Sequence, residues 1–273
     1  MFRSGTRKAD GNLHRAACLL AAAMLLPLAG CGQSAAQRGL PLRIEISHVV
    51  GEAPLQLGDS YKTAAGDTWS AERLRYYLSN FRVRRADGVW FVNPQSADSS
   101  RGYFLVDEAD GASKQFQIGP LPAGTYSGLE FLVGVDAQRN GAGAQTGTLD
   151  PARGMFWTWN TGYIFFQFDG HSPQSTADAQ ALTYHIGGGS GASAHSVYLQ
   201  FQSPVQITAE DSAELHLHAD LARLFDGAHA LRPATLSSAM DPAASANIAD
   251  NSAGLFRIDH VHRLPKAGLA EGS

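Results

Sequence analysis

From about residue 41 onward, the sequence predicts an all-β fold: an antiparallel β-sandwich with long loops and at most one short helix. Three observations lead to this prediction. Apolar and polar residues alternate over many short segments, which is the period of a half-buried strand. Gly, Pro, Asn and Asp separate these segments. The length of this part also suits a single domain with one core.

The alternation defines the predicted strands in turn. In the first, LRIEISHVV (42–50), one face carries Leu42, Ile44, Ile46 and His48. Later segments alternate in the same way: LRYYLSNFRVRR (74–85), GYFLVD (102–107), KQFQIG (114–119), TYSGLEFLVGV (125–135), HSVYLQFQ (195–202), ELHLHADL (214–221) and LFRIDHVH (255–262).

Two stretches concern helices. SAERLRYYL (70–78) is compatible with a strand and also with a helix capped by Ser70, so both interpretations stay open. A short helix is predicted around residues 220–225. The Ala/Ser/Pro-rich stretch 226–253 is predicted to be a long loop.

The N-terminus predicts an exported protein. Basic residues precede an apolar run, 16–28, that is too short to span a bilayer comfortably. The sequence LAGC (28–31) then resembles a bacterial lipobox, in which the chain is cut before the cysteine and Cys31 carries the lipid. An ordinary signal peptide with a chance cysteine is the alternative. Because Gly32 follows the cysteine where aspartate would signal retention, resemblance to Gram-negative lipoproteins favours the outer membrane.

These features divide the chain into a signal peptide (1–30), a lipidated cysteine and polar tether (31–40), one domain (41–265) and a C-terminal tail (266–273). The chain carries a net charge of −4 and has no Lys/Arg block after the leader, so nucleic-acid binding is not expected. There is no phosphate-binding Gly-rich loop and no Gly-x-Ser-x-Gly motif, and we therefore expect no enzymatic activity.

Histidines are the candidate metal ligands, because Cys18 leaves with the signal peptide and Cys31 is lipidated. His216 and His218 alternate with core-facing leucines, which places them on the solvated face of their strand. His260 and His262 share a predicted face with Phe256 and Ile258, so they are expected to be partly buried. His48 lies on the apolar face of the first strand, and a core histidine bonded to a carbonyl is the alternative to a ligand.

His185, in TYHIGGG (183–189), ends a short apolar stretch, and its glycines let the backbone come close to another group. The block GMFWTWNTGYIFFQFDG (154–170) holds Trp157 and Trp159, which would share a face of one strand. So dense an aromatic cluster is typical of a core.

Several segments together resemble the methanobactin-associated MbnP family of periplasmic or surface copper proteins. They are SHVVGEAPLQL (47–57), LRYYLSNFRV (74–83), YFLVD (103–107), the long block 121–170 and YHIGG (184–188). The resemblance implies Cu(I) bound by His48, His185 and a kynurenine made from a tryptophan. Trp159 is the preferred precursor and Trp157 the alternative. It further implies a partner, a di-haem enzyme of the MauG/cytochrome c peroxidase type called MbnH, which performs the oxidation.

The better-known branch of that family has four cysteines, so this chain resembles a cysteine-free branch. His260 and His262 remain secondary metal candidates. The alternative to a copper protein is a carbohydrate-binding or adhesion-like sandwich without metal, which would need flat, exposed tryptophans with no histidines behind them.

Overall fold

The computed structural model describes residues 39–96, 98, 101–157, 162–188, 193–240 and 242–272. Its strands are β1 Leu42–Val50, β2 Ala53–Pro54, β3 Ser60–Lys62, β4 Thr68–Arg85, β5 Trp90–Val92, β6 Tyr103–Asp107, β7 Gln115–Ile118, β8 Gly124–Val133, β9 Phe156–Trp157, β10 Gly162–His171, β11 Ala181–Gly187, β12 His195–Ile207, β13 Asp211–Asp220, β14 Ser238–Ala239 and β15 Phe256–Pro265. The α-helices are α1 Ala137–Gly141, α2 Ala222–Asp226 and α3 Pro242–Ala253. Short 3-10 segments lie at Gly111–Lys114, Gly147–Leu149, Pro151–Arg153, Asp178–Gln180 and Lys266–Gly272.

A five-stranded sheet is built around β1. Its strand order is β15-β13-β1-β2, and β7 also pairs with β1. β1 and β13 are parallel, with Arg43 opposite Glu214 and His48 opposite Ala219. β13 and β15 are antiparallel, and their register shifts between His216 and Leu217 because β15 carries one extra residue, Asp259.

A ten-stranded sheet is built around the long strand β4. Its order is β12-β8-β4-β10-β11-β14; β3, β5 and β6 pair with β4, and β9 pairs with β10. β4 is irregular at Asn80, which has φ 53° and lies at a register shift against β8. β11 and β14 form a second parallel pair.

The two sheets enclose the main core. Alternate residues of β1 and β13, such as Ile44 and Leu215, meet alternate residues of β4 and β10, such as Tyr76 and Phe166. A second set of buried side chains, here called the outer aromatic cluster, covers the opposite face of β4 and β10. Its members are Tyr77, Tyr103, Val135, Leu149, Met155, Trp157, Tyr163, Ile164 and Phe165.

The predicted all-β sandwich is confirmed, with differences in the sheets and in the helices. The sheets are mixed and not purely antiparallel. The helices number three in the part that the structure describes, and one of them, α3, lies within the stretch 226–253 that was expected to be loop. SAERLRYYL, which was also compatible with a helix, is part of strand β4. The short helix expected around 220–225 is α2.

None of the helices in the described ranges is long and apolar enough to cross a membrane.

Candidate metal sites

His48 is buried at the end of β1, as its place on the apolar face predicts, and only 4% of it is exposed. Both of its ring nitrogens are engaged. Nδ1 lies 2.5 Å from Oε2 of Glu108, and Nε2 lies 2.7 Å from the hydroxyl of Tyr76. Lys114 holds the same Glu108 oxygen at 2.9 Å. These contacts form a continuous polar chain at the margin of the main core.

The protonation of this chain follows from burial. Burial lowers the pKa of His48 below its ordinary value, although the hydrogen bond to Glu108 acts in the opposite direction. Burial alone would raise the pKa of Glu108, but the hydrogen bonds from His48 and Lys114 outweigh it and the pKa is lowered. Neutral His48 therefore donates Nδ1–H to the Glu108 carboxylate. Its Nε2 lone pair accepts from Tyr76, whose pKa burial raises well above the usual value, so no ring nitrogen is left for a metal.

His185 has a different environment, on the face of β11 opposite the main core. Its Nε2 lies 2.7 Å from Oδ1 of Asp169 and 3.3 Å from Nε2 of Gln167. The Gln167 amide donates to the other Asp169 oxygen at 2.9 Å. An Asp169 carboxylate accepting from Nε2–H leaves the His185 lone pair on Nδ1, and no described residue hydrogen-bonds to that atom. A histidine oriented by a carboxylate through one nitrogen is the usual arrangement of a metal ligand.

Trp157 belongs to the outer aromatic cluster and is 7% exposed. Arg75, Gln167 and His185 form one row across β4, β10 and β11 on this same face. Phe165, a member of the cluster, lies two residues before Gln167 on β10 and so faces the same side. His185 is therefore in the row beside the cluster that contains Trp157.

The glycine expected to let the backbone approach another group is Gly187. A Cβ built there would lie 2.1 Å from the carbonyl oxygen of Tyr163. Only glycine allows β11 to approach the start of β10 so closely, next to the cluster.

His48 and His185 do not converge, which corrects the expectation that they bind one metal together. On β11, Tyr184 and Ile186 point into the main core, so His185 between them points away from it. His48 instead touches Tyr76, which belongs to the main core. The two histidines thus lie on opposite faces of the ten-stranded sheet.

A third group of histidines lies on the solvated face of the five-stranded sheet. His216 and His218 are on this face, as predicted, with Leu215 and Leu217 fully buried behind them. The partial burial expected for His260 and His262 is wrong, because both are exposed. The extra residue Asp259 in β15 shifts the alternation by one, so Phe256 remains buried but the two histidines turn outward beside His216.

The remaining predicted site residues lie outside the described residues: Trp159 and Cys31. The alternative, a sugar-binding platform, would need a flat, exposed indole. Trp157 does not provide one, because it is buried among aromatic neighbours.

Comparison with known proteins agrees with the resemblance seen in the sequence. The family model described as MbnP matches residues 40–241, well over half of the chain. The chain belongs to the MbnP family. Among solved structures, it is similar to MbnP from Methylosinus trichosporium, with 17% sequence identity, a TM-score of 0.48, and coverage of 76% of this chain and 83% of that one. No curated protein shows significant sequence similarity to the chain.

Membership of the MbnP family suggests a copper-associated role.

The sequence alone did not identify the residues that determine which histidines have a nitrogen free to bind a metal. Glu108 and Tyr76 occupy His48, and Asp169 orients His185. Each partner comes from a different strand or loop, so only the folded sheets bring them together. Asp169 had one local signal, since it is the charged residue that follows the mostly apolar run 163–168.

Proposed function

We propose that this protein binds copper, as Cu(I), in the bacterial cell envelope, and that it stores, carries or presents the metal without catalysing a reaction. Support comes from its membership of the MbnP family and from the basic and apolar leader that ends in a lipobox-like LAGC. The lipid on Cys31 would hold it at the outer membrane.

The observation that carries the proposal is the state of His185. Asp169 orients its ring through Nε2 and leaves Nδ1 without a hydrogen bond from any described residue, in the row beside the cluster that contains Trp157. Imidazole suits Cu(I), which accepts low coordination numbers. We assign His185, and not the fully engaged His48, as the histidine ligand.

A kynurenine would supply the second donor. The indole nitrogen is a poor donor because its lone pair belongs to the ring. Oxidation that opens the C2–C3 bond adds two oxygen atoms and gives N-formylkynurenine, and hydrolysis of its formyl group by water releases formate and leaves a primary aryl amine with a free lone pair. The proposed catalyst of the oxidation is a di-haem enzyme of the MauG/cytochrome c peroxidase type, MbnH, using two equivalents of hydrogen peroxide, which are reduced to water. Trp159 and Trp157 are the two candidate precursors.

The surroundings of Trp157 favour such a site. Met155, Tyr163 and Phe165 are almost fully buried in the same cluster. Exclusion of water by these side chains favours the cuprous state over the more strongly hydrated cupric ion. The cluster therefore has a second role besides packing, which is to shield the metal.

The test is to produce the protein with and without its di-haem partner and to analyse tryptic peptides by mass spectrometry. We expect kynurenine in place of one tryptophan within residues 154–170, a new near-ultraviolet absorption, and one tight Cu(I) per chain only in the co-produced protein. Trp69 and Trp90, which lie outside this block, serve as internal controls and should stay intact.

Matched variants identify the precursor. Trp157→Phe and Trp159→Phe are made separately, and only one of them should abolish both the kynurenine signal and tight Cu(I) binding. Tight binding by a protein in which both tryptophans are intact would refute the kynurenine site, as would unchanged affinity in both variants.

A further inference from the structure

The solvated face of the five-stranded sheet carries four histidines from two neighbouring strands, and three of them form a cluster. His216 is on β13, and His260 lies directly opposite it on β15. His262 follows two residues later on the same face. The extra residue Asp259 produces this arrangement, because without it His260 and His262 would alternate toward the side of Phe256.

The three imidazoles are close enough to share one ion. The ring centroids of His216 and His260 are 4.2 Å apart, and those of His260 and His262 are 4.6 Å apart. Nε2 of His260 lies 3.0 Å from Nε2 of His262. One ligand atom from each of the three rings lies within 4.8 Å of the other two. Three nitrogens around a tetrahedral zinc ion are about 3.4 Å apart, given Zn–N distances of about 2.0–2.1 Å, so small side-chain rotations close the site.

The hydrogen bonds of the cluster favour metal-binding tautomers. Nδ1 of His260 lies 2.6 Å from the Asp259 carboxylate, which leaves the lone pair of neutral His260 on Nε2, the atom that faces His262. Nε2 of His216 is buried and has no hydrogen-bond partner. A buried nitrogen without a partner is costly, and a bound cation would satisfy it.

The charge of the surroundings also suits a cation. Glu214 and Glu45 each place a carboxylate oxygen 3.7 Å from a ring nitrogen of His216. These distances are too long for hydrogen bonds, but both carboxylates are near enough to offset the charge of a bound ion. Glu45, Glu214 and His216 also form a group of possible ligands by themselves.

We infer that His216, His260 and His262 form a second metal site, separate from the proposed kynurenine site, which takes a divalent transition-metal ion of borderline softness such as Zn²⁺ or Cu²⁺. Three imidazoles and an open fourth position are a common ligand set for zinc. The same ligands bind Cu²⁺ more tightly, following the general order of affinities of divalent metals. The position on a solvated sheet face makes the ion exchangeable with the surrounding medium.

The test uses the full chain, purified in detergent and produced without the di-haem partner, so that no kynurenine is present. Calorimetric titration with Zn²⁺ should give one ion per chain. His216→Asn, His260→Asn and His262→Asn should each weaken binding by at least about tenfold. His171→Asn is the matched control, since His171 is another solvated histidine with a carboxylate neighbour, Glu72 at 2.9 Å, and it should bind Zn²⁺ as the unaltered protein does.

A second measurement identifies the ligands directly. Cu²⁺ should displace Zn²⁺ one for one, and its electron paramagnetic resonance spectrum should show coupling to imidazole nitrogens that is lost in the His260→Asn/His262→Asn double variant. His185→Ala should leave both measurements unchanged. The inference is overturned if the three variants keep the affinity of the unaltered protein, if His171→Asn weakens binding equally, or if His185→Ala removes the Zn²⁺.

Discussion

Replacing His48 and His185 one at a time by alanine separates a histidine that stabilises the fold from one that binds metal. His48→Ala removes both partners of a buried chain, the donor to Glu108 and the acceptor of the Tyr76 hydroxyl. His185→Ala removes a partly exposed side chain that donates Nε2–H to Asp169. We expect the first change to lower the stability of the metal-free protein and the second to lower its affinity for Cu(I).

The magnitude follows from the contacts. A hydrogen bond to a charged group contributes about 1.5–3 kcal/mol, and a buried hydroxyl left without a partner costs about 1–3 kcal/mol. Lys114 continues to pair with Glu108, so the lower part of each range applies and the total is about 3 kcal/mol. For a domain of this size, such a loss lowers the melting temperature by roughly 6–12 °C. His185→Ala should cost about 1 kcal/mol or less, since its hydrogen bond to Asp169 is partly solvated.

Stability is measured by urea unfolding of the metal-free proteins, monitored by circular dichroism. Cu(I) affinity is measured by competition with a coloured chelator, on protein co-produced with the di-haem partner. His171→Ala is the control and should change neither quantity. The reasoning is refuted if His48→Ala costs less than about 1 kcal/mol yet abolishes tight Cu(I) binding. That result would make His48 a ligand and would require its contacts with Glu108 and Tyr76 to open when copper binds.

Two further predictions concern pH and the lipid. Because burial lowers the pKa of His48, the unfolded chain binds a proton near pH 6.5 that the folded protein does not. The free energy of unfolding should therefore fall as the pH drops through about 6.5, by at most about 1.4 kcal/mol per pH unit. Urea titrations at several pH values measure this slope in the unaltered protein and in His48→Gln, which should lack the contribution of His48. Equal slopes in the two proteins would contradict the prediction. Cys31→Ser should move the protein from the membrane fraction to the soluble periplasm with its fold and copper binding intact, and unchanged membrane association on fractionation would count against the lipobox.

Alternation predicted the faces of the regular strands. It placed His48 inward on β1 and His216 and His218 outward on β13, and both placements are confirmed. It failed on β15, where one extra residue reverses the faces of His260 and His262. Nothing in LFRIDHVH (255–262) marks Asp259 as a bulge, because the position is set by pairing with β13 and not by the local sequence.

The sequence also did not predict which distant strands pair with each other. Alternation shows that β1 and β13 are strands, but not that they are parallel neighbours from opposite ends of the chain. The opposed positions of His48 and His185 depend on that arrangement, and so their lack of contact could not be read from the motifs. Helix α3 was hidden for another reason. Its sequence, PAASANIADNSA, was interpreted from its Pro and Ser content, although a proline at the start and repeated alanines are also favourable to a helix.

The interior position of β1 has a consequence for how the chain reaches its folded state. β1 leaves the ribosome first among the strands, yet β13 covers one of its edges and is made near the end. Until then that edge offers unpaired backbone groups to other chains. A product that stops before residue 211 lacks β13 and β15 and cannot cover β1. The five-stranded sheet cannot close, and the main core cannot form, before nearly the whole chain is available. This late folding would suit a polypeptide that crosses a membrane unfolded.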